Sequence, residues 1–165
     1  MARELTQRLT ALGRAHDLVR PLPGHEGKAA LLGDLITILL APYDDMGAFS
    51  GRVRVSVPRM SVGVATANTL ALVVHELATN SIKYGALSTA TGTLDVSGSH
   101  EGAQLLLAWT ERGGPPVVAP MGPGGYGTRL VARTISRQLG GSIDYNWSKE
   151  GVIVTMRMNK DILAT

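Results

Sequence analysis

His75-Glu76-Leu77-Ala78-Thr79-Asn80-Ser81-Ile82-Lys83-Tyr84-Gly85 is the stretch on which the reading of the whole chain turns. Its apolar stripe, with the residues just before it, runs through Leu70, Val73, Val74, Leu77 and Ser81. At about 100° per residue, Glu76, Asn80 and Lys83 fall within an arc of about 60°, roughly 110° round from the centre of that stripe. The spacing predicts a helix over 66–87, with Thr66 as its candidate cap. One side is buried, and the flank offers a carboxylate, an amide and an ammonium to a common site. That trio suits phosphate chemistry. An amide oxygen is a neutral hard ligand for Mg²⁺, which keeps several waters and needs few protein ligands. An ammonium offsets phosphate charge, and a carboxylate accepts a proton from an attacking nucleophile. Spacing alone leaves a second reading open, a solvated flank with a charge pair seven residues apart. His75 lies about 100° from Glu76 on another face and reads as a hydrogen-bonded structural histidine rather than a base.

Working outward, residues 2–20 form a predicted helix through Leu5, Leu9, Leu12 and Val19, stopped by Pro21-Leu22-Pro23-Gly24. A second helix is expected over 28–43, ending near Pro42. Residues 52–57 alternate polar and apolar and read as a strand. Strands over 93–99 and 104–111 pair around Glu101-Gly102. A helix over 127–139 ends at Gly140-Gly141, and 142–147 with 152–158 form a closing hairpin turned at 149–151. Strands arrive in adjacent pairs, which favours an α+β two-layer sandwich with a largely antiparallel sheet.

Two further segments carry chemistry. In Gln104-Leu105-Leu106-Leu107-Ala108-Trp109-Thr110-Glu111, period 2 puts Leu105, Leu107, Trp109 and Glu111 on one face. A glutamate sharing a face with three large apolar residues either accepts a hydrogen bond from a ligand amine in an apolar slot or frays into solvent at the strand end. The loop 112–127 that follows has 16 residues, six of them glycine and four proline. Structureless loops longer than about 12–15 residues are usually functional. Gly113-Gly114 permits close backbone approach to a flat ligand. Gly124-Gly125-Tyr126-Gly127 leads into a helix beginning at Thr128, and such a helix start is an anion site to which Thr128 and Arg129 add side-chain donors. Gly122 to Gly127 also satisfies the dinucleotide pattern G-x-G-x-x-G, but the pattern requires a strand immediately before it. Here the preceding strand ends 11 residues earlier at Glu111, with prolines between, so that reading fails.

Composition bounds the alternatives. A 165-residue chain with 44% hydrophobic and 18% charged residues is globular. It is long enough to bury about 70% of its unfolded surface without disulfides or structural metal. No cysteine is present, which removes thiol catalysis and thiolate zinc sites. A net charge of +3 gives no case for nucleic acid. No apolar run approaches the roughly 20 residues needed to cross a bilayer, and the N-terminus has no apolar signal region, so a cytoplasmic location is expected.

The motifs resemble those of a known family. Glu76-Leu77-Ala78-Thr79-Asn80 resembles the N box of the Bergerat-fold ATPases. His75 to Asn80 with Lys83-Tyr84-Gly85-Ala86-Leu87-Ser88, then Trp109-x-Glu111-x-Gly113-Gly114-Pro115, resemble the HWE family of bacterial sensor histidine kinases. Gly125-Tyr126-Gly127 is similar to that family's second glycine box, and Gln138-Leu139-Gly140-Gly141 to its following turn. The resemblance spans about residues 5–158 and is most specific over 75–141. It implies a Bergerat-type sandwich with a mobile glycine-rich lid over 115–126, and ATP and Mg²⁺ as ligands. It also implies that Asn80 coordinates the Mg²⁺ and that Glu76 is the catalytic base or water-orienting group. Lys83 and Tyr84 then contact phosphate or ribose, and Glu111 accepts the adenine N6 amine. Gly113 and Gly114 border the adenine, and Gly125, Gly127 and Thr128 hold phosphates.

One family feature is missing. Members carry a phosphoacceptor histidine near a His-Arg-x-x-Asn motif on a dimerising hairpin, and no such motif occurs here. Arg8 to Leu18 resembles the end of that hairpin's second helix. The expected division is therefore a hairpin tail over 1–20 and an ATP-binding catalytic domain over 21–165. His16, His25 and His100 are poor candidates for the acceptor. The expectation is a kinase domain that transfers phosphate to a histidine located outside this chain. Its expected partners are the histidine-bearing hairpin and a response-regulator receiver domain, with a monomer or weak dimer as its assembly. Two alternatives stand beside it. One is a stand-alone ATPase or anti-sigma-type serine/threonine kinase; the other is a degenerate docking module without catalysis.

Overall fold

The protein is described by a computed structural model covering residues 30–44, 51–116 and 126–165. The expected helix over 2–20, the Pro21–Gly24 boundary and most of the 115–126 lid, including Gly125, lie outside the described residues. Strand β1 (Ala30–Leu31) leads into helix α1 (Leu32–Asp44), followed by β2 (Val53–Ser56), β3 (Ser61–Val62) and the long helix α2 (Val64–Tyr84). A 3₁₀ turn (Ala86–Ser88) precedes β4 (Thr93–Glu101) and β5 (Gln104–Arg112). Helix α3 (Tyr126–Gln138), the hairpin β6 (Ser142–Ser148) and β7 (Gly151–Asn159), and the short helix α4 (Lys160–Leu163) follow.

The main sheet has five strands in the order β2-β4-β5-β7-β6. Only β2 and β4 pair in parallel; the other pairings are antiparallel. A separate two-stranded ribbon joins β1 to β3. Alternation along β5 buries Leu105, Leu107, Trp109 and Glu111, and along β7 it buries Val152, Val154, Met156 and Met158. The apolar residues of these two strands meet Leu35, Ile36, Leu39 and Leu40 of α1, Leu70, Val73, Val74 and Leu77 of α2, and Val131 and Ile135 of α3 in one core. The expected α+β two-layer sandwich with a largely antiparallel sheet is therefore the architecture found.

Several local expectations are corrected. Helix α2 begins at Val64 and ends at Tyr84, and its N-cap is Gly63 with no side-chain cap bond. Thr66 lies inside the first turn, and its hydroxyl donates to the Ile162 carbonyl at 3.1 Å. The cap is replaced by the chain's 162–165 segment, where Ala65 N–H donates to the Thr165 oxygen at 3.2 Å. Helix α1 starts four residues later than expected and continues through Pro42 to Asp44. Proline there forgoes one helical hydrogen bond, and packing of Leu39, Leu40 and Tyr43 into the core holds the last turn.

Candidate active site

Helix α2 places the polar flank. Its two carboxyl-proximal turns do not present Glu76, Asn80 and Lys83 equally: Glu76 is buried at 5% exposure, Asn80 is half-buried and Lys83 is exposed. The solvated-flank reading fails for Glu76. A β-carbon added to Gly127 would lie 2.5 Å from Glu76 Oε2, so the carboxylate sits directly on the first turn of α3. At the other end of α3, Thr69 Oγ1 donates to Gln138 Oε1 at 3.1 Å. The two contacts set α3 antiparallel to α2, with the α3 N-terminus against the middle of α2. Thr128 is half-buried and Arg129 exposed in that same first turn.

His75, next in sequence to Glu76, faces the other way. It is buried, and Tyr43 Oη lies 2.7 Å from its Nδ1, with Thr79 Oγ1 at 3.4 Å from Nε2. This is the structural, hydrogen-bonded histidine that its helical position predicted. It ties α1 to the helix that carries Glu76 and Asn80.

Beyond Tyr84, which is 72% exposed, the chain turns at Gly85 and runs into the strand end that holds Glu111. Glu111 is 5% exposed and accepts three hydrogen bonds from the protein. Its Oε1 accepts from Ser81 Oγ at 2.8 Å and from Ala86 N–H at 2.9 Å. Its Oε2 accepts from the Trp109 indole N–H at 2.9 Å. The solvated strand-end reading of Glu111 is therefore excluded. Ser81 Oγ in turn accepts from Leu87 N–H at 3.2 Å. The turn after α2 is thus stitched to the end of β5 through one carboxylate.

The glycines beside Glu111 make room for this turn. Gly113 has φ +78°, a conformation that strongly favours glycine. A β-carbon on Gly114 would come 2.7 Å from Ala86 Cα, and one on Gly85 would come 2.1 Å from Glu111 Oε1. Gly113 and Gly114 thus lie close against the chain's own 85–92 loop.

Three contributors escaped sequence reading. Arg52, just before β2, donates through Nε to the Gly92 carbonyl at 2.8 Å and through Nη2 to the Ala86 carbonyl at 3.2 Å. It also donates to the Thr89 carbonyl. Its planar fork of donors fixes the loop that shapes the Glu111 end of the site. Tyr43 holds His75, and Ser81 holds Glu111. Of these only Ser81 left a trace in the sequence, as a hydroxyl within an apolar stripe.

A divalent cation on this flank would find one neutral amide oxygen, that of Asn80, one turn from Glu76. That donor set fits Mg²⁺ shared with substrate phosphates, not an all-protein cage. Among the described residues no three His, Asp or Glu side chains cluster as a metal site, and no helix is long and apolar enough to cross a membrane.

Comparison with known proteins converges on one family. No protein-family profile matches the chain. Blue-light-activated histidine kinase 1 of Erythrobacter litoralis is 36% identical over 154 residues, 92% of this chain and 41% of that protein. The blue-light-activated histidine kinase of Brucella anthropi is 33% identical over 153 residues, 90% of this chain and 30% of that protein. The chain thus spans well under half the length of these relatives. Among solved structures, the histidine kinase domain from Erythrobacter litoralis EL346 blue-light-activated histidine kinase superposes with a TM-score of 0.73 at 22% identity, over 98% of this chain and 78% of that one. The catalytic domain of histidine kinase ThkA gives 0.61 at 14% identity, over 81% of this chain and 96% of that one. These two likenesses show the fold. That fold is the one of histidine kinase catalytic domains, and the relatives' identity over nine tenths of this chain is consistent with the resemblance to the HWE-type sensor histidine kinases carried by His75, Trp109 and Glu111.

Proposed function

We propose that this domain binds Mg-ATP and transfers the γ-phosphoryl group to a histidine on a phosphoacceptor hairpin. The observation that carries the reading is the convergence of three motifs on one helix. The Glu76 carboxylate meets Gly127 at the start of α3, and the same helix ends in the turn that grips Glu111. A purine at Glu111 and phosphates at the α3 N-terminus would then lie along α2, with Asn80 between them.

In this reading an imidazole nitrogen attacks the γ-phosphorus, the bond from that phosphorus to the β,γ-bridging oxygen breaks, and ADP departs. Glu76 takes the proton from the attacking imidazole or orients it. Its side chain stands against the first turn of α3, where the positive end of a helix attracts negative charge. The Asn80 oxygen would hold Mg²⁺, which would supply neutralisation of the phosphate charge. Lys83 and Tyr84 reach phosphate or ribose from the exposed end of α2. Gly113 and Gly114 border the adenine, while the backbone of Gly125 and Gly127 and the hydroxyl of Thr128 contact phosphate. Phosphoryl transfer needs little covalent help from protein, so positioning and electrostatics supply the rate. A response-regulator receiver is the next acceptor in this scheme. Cytoplasmic location and a monomeric or weakly dimeric state complete the proposal.

The test is a Mg-ATP titration followed by transfer of radiolabelled phosphate, with and without an added histidine hairpin. Label on the hairpin histidine, and only when the hairpin is present, supports the reading. Label on a serine substrate instead favours an anti-sigma-type kinase and overturns the histidine assignment. No nucleotide binding at all favours a docking module without catalysis.

A further inference from the structure

The Glu111 carboxylate is held by more donors than a simple ligand acceptor needs, and the arrangement of those donors restricts what it can recognise. Two donors, Ser81 O–H and Ala86 N–H, converge on Oε1, and one, the Trp109 indole N–H, meets Oε2. A carboxylate offers about four acceptor lone pairs. Three are taken by the protein, which leaves one on Oε2.

Two of these donors cannot reverse their role. An indole N–H and a backbone N–H donate only, whereas the Ser81 hydroxyl can rotate. A neutral amide at position 111 therefore cannot satisfy the set. With its oxygen toward Ser81 and Ala86, its NH₂ faces the Trp109 N–H; flipped, its NH₂ faces the Ala86 N–H. Either way donor meets donor in a buried place, which leaves polar groups unsatisfied. Only a group that accepts at both ends fits.

We infer that Ser81, Trp109 and the Ala86 backbone form a three-donor clamp that holds Glu111 acceptor-only and in one orientation, making Ser81 and Trp109 positioning residues for selection of a 6-aminopurine over a 6-oxopurine. This inference rests on the proposed Mg-ATP site. The single free lone pair suits an exocyclic N–H of the purine. The carbonyl oxygen of a 6-oxopurine would place an acceptor against an acceptor. The Trp109 indole serves twice, as core apolar surface and as the donor that an amide at position 111 could not accept at both ends.

The experiment measures affinities of the 165-residue chain for Mg-ATP and Mg-ITP, which differ at the purine 6-position. The chain is compared with Ser81→Ala, Ser81→Thr, Trp109→Phe, Glu111→Gln and the double variant Glu111→Gln/Trp109→Phe, each checked for a cooperative melt. The unmutated chain should favour ATP on the order of tenfold or more, the scale of one hydrogen bond to a charged group. Ser81→Ala and Trp109→Phe should each narrow the ATP:ITP ratio by about threefold or more, a partial loss of that one bond. Ser81→Thr should retain the ratio, because the hydroxyl remains. Glu111→Gln should bind ATP poorly and melt lower. Adding Trp109→Phe should lower the melt by less than the sum of the two single changes, because the donor clash is gone, and turn the preference toward ITP, since the freed NH₂ can donate to O6.

A ratio unchanged in both Ser81→Ala and Trp109→Phe, with both folded, overturns the inference and makes the clamp a purely structural joint. Equal affinity of the unmutated chain for the two nucleotides, with binding still lost in Asn80→Ala, overturns this inference but leaves the nucleotide site standing. Binding of neither nucleotide overturns the site itself.

Discussion

Replacing Gly127 by alanine separates the function of the α2–α3 junction from its stability. The added β-carbon would lie 2.5 Å from Glu76 Oε2 and 3.5 Å from its Cδ. An ordinary contact of about 3.5 Å requires the carboxylate oxygen to withdraw by roughly 1 Å. What must move is the tip of a flexible side chain, so the cost is that of an imperfect rotamer, about 0.5–1.5 kcal/mol. Alanine in a helix regains up to about 1 kcal/mol over glycine. The two nearly cancel, and Tm should change by no more than about 2–4 °C. Catalysis should not escape so lightly, because a 1 Å misplacement of a catalytic group can cost about 100-fold. The assay pairs thermal melting with transfer of label from Mg-ATP to an added histidine hairpin. Gly92→Ala is the contrast: its β-carbon would lie 1.8 Å from the Ala86 backbone oxygen, and no side-chain rotation relieves that. Full transfer activity in Gly127→Ala would refute the role given to Glu76. A collapse in Tm comparable to that of Gly92→Ala would refute the claim that only the carboxylate has to move.

Asn80→Ala should abolish Mg²⁺-dependent ATP binding in a calorimetric titration while the melt stays cooperative; undiminished affinity removes Asn80 from the metal. Tyr43→Phe deletes the hydroxyl 2.7 Å from His75 Nδ1 and should cost about 1–3 kcal/mol by denaturant unfolding; an unchanged midpoint would show that this bond does not anchor α1 to α2. Burial pushes the Tyr145 phenol above its ordinary 10.0, so the unfolded chain loses that proton first as pH rises. The associated stability is intact below about pH 10 and falls above it. The Tyr145 hydroxyl has no hydrogen-bond partner among the described residues, so Tyr145→Phe should leave stability at neutral pH unchanged or higher and flatten the alkaline decline; an identical pH profile contradicts this.

Periodicity carried much of this fold into view. The stripe of Leu70, Val73, Val74 and Leu77 fixed which side of α2 is buried, and period 2 along β5 set Glu111 among apolar neighbours, because both patterns are local consequences of backbone geometry. What stayed hidden depends on partners distant in sequence. Thr66 reads as a cap until the 162–165 segment arrives to take that place. Strands of two residues, such as β1 and β3, have too few side chains to show a period. Arg52 looks like any polar residue of an alternating strand, since the carbonyls it holds lie 34 to 40 positions away. Ser81 was legible in part: a hydroxyl on an apolar stripe must find a buried partner, but nothing local named Glu111 as that partner. The site's two ends could be named from motifs, but their joining through Ser81 and Gly127 is a tertiary fact.

The most direct measurement is a crystal structure of this chain grown with Mg²⁺ and a non-hydrolysable ATP analogue. The account predicts the adenine N6 amine within hydrogen-bond distance of Glu111 Oε2, the metal on the Asn80 oxygen, and the terminal phosphate between Glu76 and the first turn of α3. A nucleotide bound elsewhere, or one whose purine leaves Glu111 untouched, would contradict it.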